Sequence, residues 1–143
     1  MHRSTWKVSF GEVDYAGIVY YPNFFDYFQR VEEEFMEQVG FPYQRLLGEM
    51  GIGFPIVGVE ASFKRPVRYS DTIEIILRVA RLGKSSVTFS FQVFKEREFC
   101  AEASITHVTI DLAKFAAIEI PEELRAAFQG PSRTGPSDRE QRT

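Results

Sequence analysis

Residues 8–24 read VSFGEVDYAGIVYYPNF, and this stretch places one carboxylate, Asp14, ahead of a glycine turn that opens onto a long helix. A helix start carries partial positive charge and backbone N–H groups without intrahelical partners. A carbonyl placed there can build up negative charge on its oxygen while a nearby carboxylate acts on its carbon. The stretch therefore predicts an acyl-transfer site.

An amphipathic helix follows this stretch. Its apolar residues recur every three or four positions: Phe24, Phe28, Val31, Phe35 and Val39. Charged residues cover much of the other side: Arg30, Glu32, Glu33, Glu34 and Glu37. Pro22 suits the first turn, Asn23 is a candidate cap, and Gly40 with Pro42 ends the helix. The periodicity predicts one long helix, followed by a shorter one from Tyr43 to Met50.

Alternation of apolar and polar residues predicts strands on both sides of the helix. Trp6, Val8 and Phe10 form the inward face of the first strand. The later strands carry four further apolar sets: Val57, Val59, Ala61 and Phe63; Ile73, Ile75, Leu77 and Val79; Val87, Phe89, Phe91 and Val93; and Ala101, Ala103 and Ile105. Because proline cannot donate to a ladder, Pro66 predicts a bulge at residues 64–66, with the strand resuming at 67–69.

The small side chains of Ala101 and Ala103 leave room for the long helix to lie across the sheet. A strand, a long helix and a run of antiparallel strands bury both amphipathic faces when the sheet curls around the helix. We therefore expect an α+β fold, with a long central helix wrapped by a curved antiparallel β-sheet. We expect residues 1–129 to form one domain that ends in a short helix at 121–128, and residues 130–143 to form a flexible polar tail.

Composition argues against several classes of protein. The 143 residues are 44% hydrophobic with a formal charge of -3, which gives no reason to expect a nucleic-acid partner. Residues 1–7 lack an apolar signal core and no apolar run could span a bilayer, so we expect no membrane contact and a cytoplasmic location. Cys100 is expected to be a small buried thiol and His107 a strand residue with a satisfied ring. His2 and His107 lie in no metal-ligand spacing, so no metal site is expected.

The opening stretch also resembles a known signature. DYAGIVYYPNF at residues 14–24 is similar to the signature of the hotdog-fold acyl-CoA thioesterases of the 4-hydroxybenzoyl-CoA thioesterase family. Further segments resemble that family in the same order: Gly51-Ile52, Pro55-Ile56-Val57, Ala61-Ser62-Phe63, Tyr69-Ser70-Asp71 and Ala117-Ile118-Glu119-Ile120-Pro121. The resemblance covers residues 8–128 and implies a hotdog fold that hydrolyses an acyl-CoA to the free acid and coenzyme A.

The resemblance implies roles for residues of that stretch. Asp14 matches the family's catalytic aspartate, as nucleophile or general base, and the backbone N–H of Tyr21 matches the donor that polarises the thioester carbonyl. Gly17 would allow close approach of the thioester. Some members of the wider group carry a histidine where this chain has Tyr20 or Tyr21, which points toward the aromatic-acyl type, such as 4-hydroxybenzoyl-CoA. Outside this motif, such an aspartate is usually a turn former. Glu12 is expected to be structural or solvated.

Coenzyme A is part of the substrate, so no separate cofactor is expected. Its phosphates attract cations, and Arg81, Lys84 and Ser85 flank a glycine turn whose counterpart in the family contacts the nucleotide end. Arg65, near the predicted bulge, is a further candidate. An ordinary basic surface explains Arg65 about equally well.

The residues themselves do not decide the oligomeric state, or whether the chain hydrolyses the acyl-CoA or only binds it. A curled sheet has unpaired edges, and family members pair and associate further, so we expect a homodimer or homotetramer. A non-catalytic module that binds acyl-CoA or an acyl-carrier protein is the alternative function. A hotdog dehydratase would need a histidine-containing hydration motif that the sequence does not contain.

Overall fold

A computed structural model of the chain describes residues 1–130. Helices and strands follow in chain order: β1 (His2–Lys7), α1 (Pro22–Gln38), β2 (Ile52–Gly53), β3 (Ile56–Phe63), β4 (Thr72–Leu82), β5 (Ser86–Lys95), β6 (Glu98–Val108), β7 (Ile110–Asp111), β8 (Ala116–Ala117) and α2 (Glu122–Gln129). Residues 131–143 of the predicted tail lie outside the described residues, and the single domain over residues 1–129 stays a prediction. No helix within residues 1–130 is long and apolar enough to cross a membrane.

Two antiparallel sheets make up the β-structure. Five strands form the main sheet in the order β1-β4-β5-β6-β3, and β2, β7 and β8 form a small second sheet that the sequence did not predict. The strand pattern of residues 72–108 is confirmed, because the apolar positions of β5 and β6 are buried. The chain therefore has the predicted α+β architecture of one long helix on a curved antiparallel sheet.

The apolar face of α1 packs on the sheet. The ring of Phe28 lies 4.8 Å from that of Phe91 on β5, and Phe35 meets Phe89 at 5.6 Å. Ala101 and Ala103 on β6 are buried in the same core, as their small size predicted. Cys100 is buried as well, and burial raises the pKa of its thiol. Burial of this aromatic face is what holds the helix in place.

The ends of α1 agree with the prediction except at the cap. Pro22 occupies the first turn, and Gly40 follows the helix with a φ of +92°, a backbone conformation that glycine adopts readily. Asn23 does not cap the helix. Its side-chain amide instead donates to the backbone carbonyl of Glu12 at 2.8 Å. The second predicted helix is a single π-helical turn at Gln44–Glu49.

Phe10 is wrongly predicted as a core residue of the first strand. β1 ends at Lys7, and Phe10 begins a 3₁₀ turn with 75% of its surface exposed. The chain turns because the Glu12 carboxylate accepts the backbone N–H of Ser9 at 2.8 Å. A side chain three residues away therefore competes with the strand for this backbone donor.

The predicted bulge is present, but the strand beyond it is not. The N–H groups of Lys64 and Arg65 both donate to the carbonyl of Cys100, at 2.8 and 3.0 Å, which is the two-against-one pairing of a β-bulge. Residues 67–69 do not resume the sheet strand. The carbonyl of Val67 accepts from Val19, and Arg68 forms an isolated bridge with Ile18, so this segment supports the loop before α1.

β3 does not have a buried face in the single chain. It is an edge strand, and Val57 on it is 62% exposed. Val59 and Phe63, predicted to face the core with it, are exposed too. β1, at the other edge, exposes Arg3, Thr5 and Lys7. The sheet thus has one polar edge and one apolar edge.

Phe28→Ala should lower the free energy of unfolding by about 3–5 kcal/mol, because it opens a cavity at the helix–sheet contact. Phe10→Ala removes the same ring from an exposed position and should change stability by no more than about 0.5 kcal/mol. Urea unfolding followed by circular dichroism measures both. Equal effects of the two substitutions would contradict this account of the core.

Candidate active site

The loop that carries Asp14 is closed by its own hydrogen bonds. The N–H of Asp14 donates to the carbonyl of Ile18 at 2.8 Å, and that of Gly17 donates to the carbonyl of Asp14 at 2.9 Å. The Asp14 carboxylate accepts the N–H of Ala16 at 2.8 Å and is exposed. Gly17 has a φ of +79°, so a side chain there would be strained. Asp14 therefore both shapes this turn and presents a carboxylate at the surface.

Tyr21 stands at the junction between the loop and α1. It is the residue immediately before the helix, and its N–H donates to no acceptor within residues 1–130. Pro22 has no N–H to offer, so the Tyr21 group is the first available backbone donor at this helix end. A donor of this kind can stabilise negative charge on a ligand oxygen.

Glu12 connects the loop to the helix. Its carboxylate accepts the hydroxyl of Tyr27 at 2.9 Å and lies 4.0 Å from the guanidinium of Arg30, while its carbonyl accepts from Tyr20 and Asn23. Burial, and then the bond to Glu12, raise the pKa of Tyr27, so the phenol stays a donor. The prediction that Glu12 is structural is confirmed.

A cavity of about 300 Å³ adjoins the helix start. Its lining combines loop, helix and bulge: Ile18, Val19, Tyr21, Phe24, Phe63, Lys64, Arg65, Pro66 and Val67. Arg65 and Tyr21 therefore line the same cavity, although the Arg65 guanidinium also lies 3.8 Å from the Glu98 carboxylate. The cavity is apolar on one side and cationic at the bulge.

Arg81, Lys84 and Ser85 lie at the other end of the sheet. The residue before β4, Asp71, pairs with Val8 beside the Asp14 loop, whereas the turn at residues 83–85 follows the end of β4. The 11 residues of β4 correspond to roughly 33 Å of strand. The turn is held against α2, because Arg125 donates to the carbonyls of Gly83 and Lys84. One chain therefore does not bring this turn to Asp14.

A buried polar cluster was missed by the sequence analysis. Glu32, assigned to the charged side of α1, is only 3% exposed, and its Oε1 accepts the hydroxyl of Tyr43 at 2.7 Å. His107, 4% exposed on β6, has Nε2 at 2.6 Å from the same oxygen. Glu32 directly follows Val31 and so borders the apolar stripe of α1. This position was the sequence signal available for its burial. The prediction of a satisfied ring holds for Nδ1, which contacts the Phe54 carbonyl at 2.8 Å, but Nε2 has no hydrogen bond of good geometry within residues 1–130.

Comparison with known proteins places this arrangement in a family. Residues 8–128 match the model of the thioesterase-like superfamily. The chain belongs to that superfamily. It is 32% identical to a 1,4-dihydroxy-2-naphthoyl-CoA hydrolase of Prochlorococcus marinus strain NATL2A over 73% of this chain and 72% of the relative.

Two solved thioesterase structures have the same fold. Gentisyl-coenzyme A thioesterase BH1999 superposes with a TM-score of 0.78 at 30% identity, over 87% of this chain and 99% of that one. The Synechocystis thioesterase Slr0204 gives a TM-score of 0.84 at 18% identity, over 90% and 96% of the two chains, and shows the fold alone. The chain is thus a hotdog-fold thioesterase, a hydrolase of acyl-CoA thioesters.

Tyr27→Phe should lower the free energy of unfolding by about 1.5–3 kcal/mol, because it removes a hydrogen bond to the Glu12 carboxylate. Tyr15→Phe removes a hydroxyl from an exposed ring in the same loop and should have little effect. Chemical unfolding of both variants measures the difference. The anchoring role of Glu12 would be wrong if the two substitutions had the same effect.

Proposed function

We propose that the chain hydrolyses an aromatic acyl-CoA, such as 4-hydroxybenzoyl-CoA, at the junction of the Asp14 loop and α1. The observation that carries the proposal is the unpaired Tyr21 N–H at a helix start, next to a loop that presents a carboxylate. Relatives named for naphthoyl-CoA and gentisyl-CoA substrates support an aromatic acyl group. The histidine found in some other members is replaced here by Tyr20 or Tyr21, and the aromatic-acyl type that this resembles uses its aspartate without that histidine, so Asp14 is the candidate reactive group.

The reaction needs two contributions from the chain. The Tyr21 N–H would donate to the thioester oxygen as negative charge develops there, and Gly17 would leave space for the approach. Asp14 would either attack the carbonyl carbon, forming an anhydride that water cleaves, or take a proton from the attacking water. Both routes add one water, release the free acid and return a proton to the coenzyme A thiolate.

Asp14→Asn should reduce thioester hydrolysis by about 100- to 10,000-fold, because the amide is neither a base nor a nucleophile of comparable strength. The measurement is release of free thiol from benzoyl, 4-hydroxybenzoyl, 1,4-dihydroxy-2-naphthoyl, phenylacetyl, short-chain and long-chain coenzyme A esters. Asp26→Asn, a change at an exposed carboxylate of α1, is the matched control and should keep the parent rate.

Three outcomes of this assay would contradict the proposal. An unchanged rate in Asp14→Asn would exclude Asp14 as the reactive group. A parent protein that binds the esters without releasing thiol, and whose affinity survives Asp14→Asn, would favour the non-catalytic binding module. A preference for long aliphatic esters would exclude the aromatic substrate class.

We infer that the nucleotide end of coenzyme A is bound by residues of two chains. Arg65 lines the Tyr21 cavity and could meet a phosphate of a thioester bound to the same chain, whereas Arg81, Lys84 and Ser85 lie at the far end of the 11-residue strand β4. A second protomer could place its own turn beside the first protomer's Asp14 loop. This arrangement reconciles the family role of the turn with its position in the single chain.

We infer that the chain forms a homodimer through β3, and that two dimers could associate into a tetramer. An edge strand with exposed Val57 and Val59 has backbone donors and acceptors as well as apolar surface to offer, whereas the β1 edge is protected by Arg3 and Lys7. Pairing of β3 with its copy would give its unpaired backbone groups hydrogen-bond partners and would cover its apolar side chains, in a contact with two-fold symmetry.

Val57→Asp should shift the protein toward the monomer, because it places like charges across the proposed contact and removes apolar area. Thr5→Asp, at the opposite edge, should leave the assembly unchanged. Size-exclusion chromatography with light scattering reports the mass of each variant. A stable monomeric parent that still hydrolyses acyl-CoA would exclude a site built from two chains.

A further inference from the structure

A second cavity, of about 490 Å³, lies between α1 and the sheet. Its lining comes from α1, the π-helical turn, β3, β6 and the residues between them: Phe25, Gln29, Glu32, Tyr43, Leu47, Phe54, Ile56, Val59, Ile105 and His107. Its volume falls in the range of about 300–1,000 Å³ that is typical of small-molecule sites. Its walls are mainly apolar, and its polar groups are concentrated in the buried cluster of Glu32, Tyr43 and His107.

The contacts of His107 fix the position of its ring. Nδ1 of His107 lies 2.8 Å from the carbonyl of Phe54, so this nitrogen carries a hydrogen. Nε2 lies 2.6 Å from Oε1 of Glu32, without the geometry of a good hydrogen bond. The carboxyl and imidazole groups are thus buried in contact, which lowers the cost of burying either one alone.

The cluster leaves one acceptor unused. Both Tyr43 and His107 contact Oε1 of Glu32, and no group within residues 1–130 donates to Oε2. Burial, followed by the charge of Glu32, raises the pKa of Tyr43, which keeps that phenol as a donor. Oε2 keeps some accessible surface, since Glu32 lines the cavity, and a ligand hydroxyl could donate to it there.

The walls restrict the rest of the ligand. The ring of Phe54 stacks on the His107 imidazole at 4.1 Å, and Phe25, Leu47 and Ile105 supply apolar surface. A carboxylate would bring a second acceptor to Oε2, and an aliphatic group would leave Oε2 unsatisfied. The chemistry of the cavity fits a flat apolar group that carries a neutral donor.

We propose that this cavity binds a hydroxylated ring, whose hydroxyl donates to Oε2 of Glu32 and whose faces pack against Phe25, Phe54 and the β3 side chains. Glu32 is then the residue that selects for the hydroxyl, positioned by Tyr43 and His107. The ring could belong to the acyl group of the thioester or to a separate small molecule. The first source rests on the proposed function, whereas the second does not.

The distance between the cavity and the Asp14 loop helps to decide whether the ring belongs to the thioester or to a separate molecule. Eleven residues of helix separate Tyr21 from Glu32, which corresponds to about 16 Å along α1. Phe25 and Gln29 line the cavity on the near side, so the cavity extends toward the helix start without reaching it. A ring joined directly to the carbonyl would not bridge this distance within one chain, so an acyl ring in this cavity needs a spacer or a thioester held by the second protomer.

The test compares p-cresol with toluene as probes of the full-length protein, by isothermal titration calorimetry and by the NMR shifts of the His107 ring. We expect p-cresol to bind at least about tenfold more tightly. Glu32→Gln should remove this preference, and Glu33→Gln, the exposed neighbour on α1, should retain it. The comparison in the parent protein stands even if Glu32→Gln fails to fold.

Equal affinity for the two probes, or binding of neither, would overturn the proposal. Binding of neither would mean that packing or a second copy of the chain fills the cavity. These results are independent of thioester hydrolysis, so an inactive protein that prefers p-cresol would contradict the proposed function alone.

Competition in the Asp14→Asn variant separates the two sources. Displacement of p-cresol by 4-hydroxyphenylacetyl-CoA, but not by coenzyme A, would assign the ring to the acyl group. Retention of p-cresol in the presence of a saturating amount of this thioester would assign the cavity to a separate small molecule. Either result counts only after the parent protein has been shown to bind p-cresol more tightly than toluene.

Discussion

Burial of the aromatic face of α1 against the sheet is the contact on which the rest of the molecule depends. Phe28 and Phe35 meet Phe91 and Phe89, and Ala103 beside them leaves the space that a helix needs. Such close packing fixes the position of the helix along its axis as well as its orientation. The N-terminal end of α1, and with it the Tyr21 N–H, is thereby held at a defined point of the sheet.

The Asp14 loop takes its shape from this helix end and from the bulge of β3. Glu12 ties the loop to Tyr27 on α1, and Val67 pairs with Val19 because the chain leaves the sheet after Phe63. The backbone around Asp14 is thus held on two sides, while its carboxylate stays exposed.

The buried cluster behind α1 adds a different kind of constraint. Apolar side chains of similar volume in place of Glu32, Tyr43 and His107 would stabilise the fold more simply. Buried ionisable groups, in contrast, must be paired and hydrogen-bonded. Here the pairing is incomplete, since Nε2 of His107 lacks good hydrogen-bond geometry within residues 1–130. Buried polar groups are usually fully hydrogen-bonded, so this cluster departs from ordinary core packing at the wall of the cavity.

The sequence by itself determined the long helix, the strands at residues 72–108, the bulge and the motif around Asp14, because local periodicity and turn chemistry specify these features. The exposure of Phe10 follows from a local bond between Glu12 and Ser9, whereas tertiary structure alone decided that β3 is an apolar edge and that Glu32 is buried. These last two features depend on partners distant in the chain: His107 lies 75 residues after Glu32 in the numbering. Spacing along one element cannot reveal which distant group will face it, since that depends on how the sheet curls around the helix.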